Sequence, residues 1–175
     1  MSTPRDFVRL LLVLSLGAAV GCARPVRPSY SFDMGPGGWE LEGQERTATL
    51  RREGYTHAVH SERLEVFEVQ RPAPAATSAE FAALAPGART LPALGTATNA
   101  PRALGDDEIN GTAGYWVDQR GRDAEGMNTA AVFVVPSGRR HFVARMRSTE
   151  DELSQLQGWL RDILLRNLRF PPPVR

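Results

Sequence analysis

Cys22 is the only cysteine among the 175 residues, so no disulfide can form within the chain. Whatever folds must be held by packing, hydrogen bonds and charge. The same count excludes a zinc site or an iron–sulfur cluster held by several cysteines. The surroundings of Cys22 narrow the folded part further. Arg5 and Arg9 precede an apolar or small-residue run, Leu10–Val20, which Gly21 closes. A bilayer span needs about 20 apolar residues, and this run is shorter. A basic end, an h-region of about 7–15 residues and small residues before a cut define a secretory signal instead. The expected organisation is a cleaved signal over 1–21, a tether over 22–29 (ARPVRPS after the cysteine), a single domain over 30–170 and a Pro-rich tail over 171–175.

Ala19-Val20-Gly21-Cys22 resembles a bacterial lipobox. The resemblance implies that Cys22 carries lipid, palmitate among its acyl chains, and becomes the first residue of the mature protein. Each buried methylene contributes about 0.8 kcal/mol, so two or more chains anchor firmly without a spanning helix. Ala23 rather than Asp after the cysteine is, by resemblance to enterobacterial sorting, the mark of an outer-membrane protein facing the periplasm.

All 21 basic residues are arginine, against 20 Asp plus Glu, for a formal charge of +1. Loss of the signal removes Arg5, Arg9 and Asp6 and leaves the signs balanced. A nucleic-acid binder would carry a basic excess, so that class is excluded.

Along the domain, Tyr30–Met34, Trp39–Glu42 and Thr47–Arg52 alternate apolar with polar residues, the mark of half-buried strands. Glu62–Gln70 places Leu64 and Val66 on one face and Phe67 and Val69 on the other, which predicts a sheet covered on both sides. Thr77-Ser78-Ala79-Glu80 is a capping box opening a short helix to about Ala85. Ala88–Asp107 has no clear period and reads as a flexible loop, with a short strand near Arg89–Leu91 as an option. Asn110-Gly111 is a strong turn signal. Gly114–Gln119, Met127–Val135 and Arg139–Arg147 then read as an antiparallel meander. Thr149 and Glu152 open a final helix to about Arg166, striped by Leu153, Leu156, Leu160, Ile163, Leu164 and Leu168.

Few residues offer chemistry. His57 and His60 are three apart, which on a strand sends them to opposite faces, and His141 is far from both in sequence. Ser61 beside His60 lies in no Gly-x-Ser-x-Gly elbow. Asp106-Asp107-Glu108 lacks the alternating ligands of a calcium loop and reads as a solvated turn. No cofactor or resident metal is expected.

Several landmarks in order resemble the PsbP-type family, which includes PsbP, Mog and DcrB-like lipoproteins. They are Phe32, the turn Pro36-Gly37-Gly38-Trp39, Gly111-Thr112-Ala113-Gly114-Tyr115-Trp116, the hairpin through Pro136-Ser137-Gly138, and a last helix running into Leu168-Arg169-Phe170. The resemblance covers residues 31 to 170. It implies an α+β fold: a central antiparallel sheet flanked by helices as an α/β/α sandwich with a long C-terminal amphipathic helix. It also implies binding rather than catalysis. The expected function is a non-enzymatic, lipid-anchored envelope module docking a protein partner, with Arg120, Arg122 and Asp123 as contacts. The rival classes are an envelope hydrolase built on His60, Ser61 and His141, and a small-ligand or metal carrier.

Overall fold

The strongest β signal, Val132–Val135, lies at the middle of the architecture. A computed structural model describes residues 30–35, 38–57, 62–93, 96–122, 124, 126, 129–149 and 153–171. Three long antiparallel strands form the centre: β7 (Thr112–Arg122), β8 (Thr129–Ser137) and β9 (Arg140–Ser148). This is the meander that the three β-prone segments and the turn signals between them predict. On one side β9 pairs with β4 (Arg63–Val69), then β3 (Leu50–His57), then β2 (Trp39–Arg46) at the edge. On the other side β7 pairs with β6 (Arg102–Ile109) and, beyond its end, with the two-residue β5 (Thr96–Ala97). Asn110 at φ +53° and Gly111 at φ +75° make the tight β6–β7 turn, the pair of left-handed residues that such a hairpin requires. A small separate ladder joins β1 (Ser31–Phe32) to β10 (Leu168–Arg169).

Two helices complete the fold. Helix α1 (Ser78–Ala83) begins as the capping box predicts: Thr77 Oγ1 accepts from Glu80 N at 3.2 Å, and Glu80 Oε2 reaches back to Ala76 N at 2.8 Å. Replacing such a cap costs about 1 kcal/mol. Thr77→Ala is accordingly expected to lower stability by about that amount, read from a denaturation midpoint at constant m-value. Helix α2 (Leu153–Arg166) lays Leu156, Leu160 and Leu164 on the sheet. Residues 150–152, and with them Glu152 of the second capping box, lie outside the described residues.

The α/β/α sandwich is not the architecture. The protein is mostly β, with a curled seven-strand antiparallel half-barrel, and no long C-terminal helix packs on it. Helix α2 has fourteen residues and α1 six. The inference failed for a physical reason. Apolar side chains on both faces of β4 do require cover on both sides, but a curled sheet supplies part of that cover itself. One face packs Leu64, Val66, Trp116, Phe133, Phe142 and Met146 against α2. The other packs Phe67, Tyr115, Val117, Val132, Val134 and Val143 against Phe81 of α1 and the chain after it.

The described residues within 88–107 are also more ordered than their composition predicts. Arg89 ties the segment down, donating to Leu84 O (3.0 Å), Ala82 O (2.7 Å) and Pro101 O (3.3 Å). There is no strand at Arg89–Leu91, where a 3-10 turn (Pro86–Ala88) leads into irregular chain. Polar β6 occupies the end of the stretch.

Candidate functional site

Cross-strand register fixes which side chains share the second face. Arg52 lies opposite Phe67, and Phe67 opposite Val143; one step along, Gly54, Glu65 and Arg145 line up; one step further, Thr56, Arg63 and Arg147. Helix α1 covers the β6–β7 half of this face. Among the described residues no helix lies over the β3–β4–β9 half, which forms a cleft of about 690 Å³ bordered by Leu91, Pro92 and Ala93.

The floor of the cleft holds a buried ion cluster. Arg145, 2 % exposed, donates Nε and Nη2 to Glu65 Oε2 at 2.8 and 2.7 Å. Its Nη1 donates to Pro92 O (2.8 Å) and Gln119 Oε1 (3.2 Å), and its guanidinium lies over the Phe67 ring, 4.8 Å from the centroid. Gln119 Nε2 donates to the same Pro92 carbonyl at 3.0 Å. The other oxygen of Glu65, Oε1, takes Arg52 Nη2 and Arg147 Nη1. Burial alone would raise the Glu65 pKa, but Arg145, Arg147 and Arg52 overcome it and hold the carboxyl below its ordinary value. Burial pushes the Arg145 guanidinium down, and Glu65 restores part of the loss. Among the described lining residues, four arginines (52, 71, 145, 147) stand against two glutamates (45, 65). Leu50, Phe67 and Val69 supply the apolar part. Such a surface suits an anionic partner with an apolar neighbour.

A second acidic cluster, Glu53, is structural. Its carboxylate accepts from Tyr30 (2.7 Å), Tyr55 (2.8 Å), Gln44 (3.3 Å) and Arg51. These bonds fasten the first described residue to the α2 side of the sheet. A smaller hollow of about 400 Å³ lies between Trp39, His57, Trp159 and Ile163.

The residues singled out from sequence are distributed as follows. Arg120 pairs with Asp118 at 3.3 Å, and Arg122 is an exposed residue opposite Thr96. Asp123 lies outside the described residues, as do Cys22, His60 and Ser61. His57 stands at the end of β3 against the Trp39 ring. His141 is fully enclosed at the far end of the sheet, with its Nδ1 donating to Arg71 O at 2.8 Å. Desolvation lowers its pKa. By register His141 sits two strands from Leu50, seven residues along β3 from His57, a separation on the order of 23 Å. These two histidines do not converge.

Asp106-Asp107-Glu108 is not a turn but part of β6. Asp106 accepts from Ser78 N (2.7 Å), and Asp107 from Trp116 Nε1 and Arg161 Nε (both 3.1 Å). A short polar edge strand shows no apolar alternation, so the sequence pattern hid it. Among the described residues no group of three or more His, Cys, Asp or Glu could hold a metal ion. Among them, too, no helix is long and apolar enough to cross a membrane.

The ion cluster itself escaped sequence analysis, although a signal was present. Glu65 in β4 and Arg145 in β9 interrupt strands whose neighbours are apolar on both faces. A charge in such a strand must be buried, and a buried charge must be paired. No family model matches this chain, and no curated protein matches it.

Proposed function

We propose that this chain is a lipid-anchored cell-envelope module, without chemistry of its own, that docks a protein partner in the cleft of the half-barrel. The observation that carries the reading is the cleft: an arginine-rich, partly apolar concavity whose floor is locked by ion pairs and hydrogen bonds. A locked floor loses little side-chain entropy on binding, which favours recognition. Ala124, just past the end of the strand that carries Arg120 and Arg122, borders it. The resemblance to the PsbP-type family lends the docking role only, not the architecture.

Acyl chains on Cys22 supply the confinement. Eight residue steps lead from Cys22 to Tyr30, a reach of about 27 Å at full extension. A domain held that close meets membrane-bound partners at raised effective concentration. Two measurements test the reading. Cys22→Ala is expected to abolish acylation and move the protein out of the membrane fraction; full retention in that fraction would overturn the anchor. A photo-crosslinking residue at Thr49, on the cleft rim, is expected to capture one envelope protein in the native host. Capture from the opposite face with none from Thr49 would refute the cleft as the docking site.

A further inference from the structure

The rim of the cleft specifies its partner more narrowly than its net charge does. Val69 and Arg71 follow Phe67 at intervals of two, and all three line the cleft. The ladder continues one residue past β4 through Gln70 N to Thr49 O at 2.8 Å. The carbonyl of Arg71 is held by His141 Nδ1 at 2.8 Å. Arg52 lies opposite Phe67, and Leu50 opposite Val69. The face therefore reads cation, apolar pair, cation: Arg71, then Val69 with Leu50, then Arg52 beside Phe67. Arg71 lies four residues beyond Phe67, in the bend that follows β4, which puts the two cationic positions at most about 13 Å apart along the strand. Arg145 and Arg147 are nearly buried, whereas Arg52 and Arg71 are open to solvent. Among the described residues no carboxylate pairs with Arg71. Glu45 stands opposite Arg52 on β2 and offsets that end in part, which leaves Arg71 the stronger of the two anion positions.

We infer that the cleft binds an extended acidic segment of its protein partner with the pattern acid–x–apolar–x–acid. In an extended chain, alternate side chains face one way and residues four apart are separated by about 13 Å. One carboxylate then meets Arg71 through the planar fork that guanidinium offers a carboxylate, and the other meets the part of the Arg52 guanidinium that Glu65 does not engage. The apolar residue between them lands on Leu50 and Val69. This rests on the cleft being the docking surface and adds the chemistry of what docks.

The test uses the full chain purified in detergent and a fluorescein-labelled peptide, Glu-Ser-Leu-Ser-Glu, blocked at both ends, read by anisotropy. Its amide counterpart, Gln-Ser-Leu-Ser-Gln, is expected to bind at least tenfold more weakly. Arg71→Gln, an exposed substitution that leaves the Glu65 cluster untouched, is expected to weaken the acidic peptide at least fivefold with an unchanged Tm, and Arg71→Lys to recover part of that loss. Equal binding of the two peptides, or unchanged affinity in Arg71→Gln, would overturn the inference. So would inorganic phosphate or phosphatidylglycerol vesicles displacing the probe more effectively than unlabelled acidic peptide. If the Thr49 crosslink persists while the acidic peptide does not bind, the peptide pattern falls and the docking site stands. Loss of both removes both.

Discussion

Glu65→Gln is expected to destabilise the protein by about 3–5 kcal/mol, the range for removing one partner of a buried ion pair. Arg145 would keep its charge with its main counter-ion gone, and Arg52 and Arg147 would each lose an ion pair. A domain of this size has about 5–15 kcal/mol in total, so the variant would sit near the edge of folding. The double substitution Glu65→Leu with Arg145→Met should recover only part of the loss: apolar replacement of the Glu65–Arg145 pair is itself often neutral, but the ion pairs of Arg52 and Arg147 with Glu65 stay broken. Denaturant midpoints of the three proteins at constant m-value decide it. Equal stability of Glu65→Gln and the parent would show the cluster to be energetically idle.

The pH dependence has a definite sign. The Glu65 pKa in the fold lies below its ordinary 4.5. Its contribution is therefore fully present above about pH 4.5 and fades as pH falls through the depressed folded value. The stability gap between parent and Glu65→Gln should narrow in that acid range and stay constant above it. Glu53 acts in the same direction. Burial alone would raise its pKa, and bonds from Arg51, Tyr30 and Tyr55 bring it below the ordinary value.

Gly114→Ala is the second large effect. A methyl group at this position would lie 2.5 Å from Val134 O and 2.6 Å from Phe133 Cζ. The oxygen belongs to the backbone of the central strand β8, and the Phe133 ring is packed against Trp116 at 4.9 Å between centroids. Neither can retreat without disturbing the core, and overpacking of this kind costs about 3 kcal/mol. The contrast is Gly158→Ala, on helix α2, where an added methyl meets nothing within 4 Å and removes a helix-breaking residue. Thermal unfolding of the two variants should shift in opposite directions. A neutral Gly114→Ala would mean that β7 and β8 lie further apart than described.

The parts of the fold legible in the sequence were those that water and backbone geometry dictate locally. The β-prone run Met127–Val135 and the alternation along Arg139–Arg147, with Ser137-Gly138 between them, mark the meander, and Asn110-Gly111 marks the turn before it. Thr77 and Glu80 mark the start of α1. Edge strands were harder. β2 is exposed along most of its length and β6 is acidic, so both are held by backbone pairing and carry little hydrophobic signature. The turn at Thr47–Thr49 was hidden within an apparent strand, because Thr47 Oγ1 accepting from Leu50 N (3.0 Å) bends a segment whose composition suits either conformation. The curl of the sheet was not legible at all. It depends on how many strands accumulate twist and on which half of each face a helix reaches, and both arise between segments distant in sequence. The cleft inherits that difficulty, since Glu65 and Arg145 are 80 residues apart.

The seam between β1 and β10 has a kinetic implication. Asn167 Nδ2 donates to Asp33 O at 2.7 Å across 134 residues of chain, and Asp33 N donates to Asn167 O at 2.8 Å. Closing a loop of that length from an open coil costs about 4 kcal/mol of entropy, for a ladder only two residues long. This zipper forms cheaply only after the half-barrel and α2 have brought its two sides together. It is thus a late step on the folding route and an early one to fray. Any tension entering from the chain before Tyr30 meets the Tyr30–Glu53 bond first and this short ladder directly behind it.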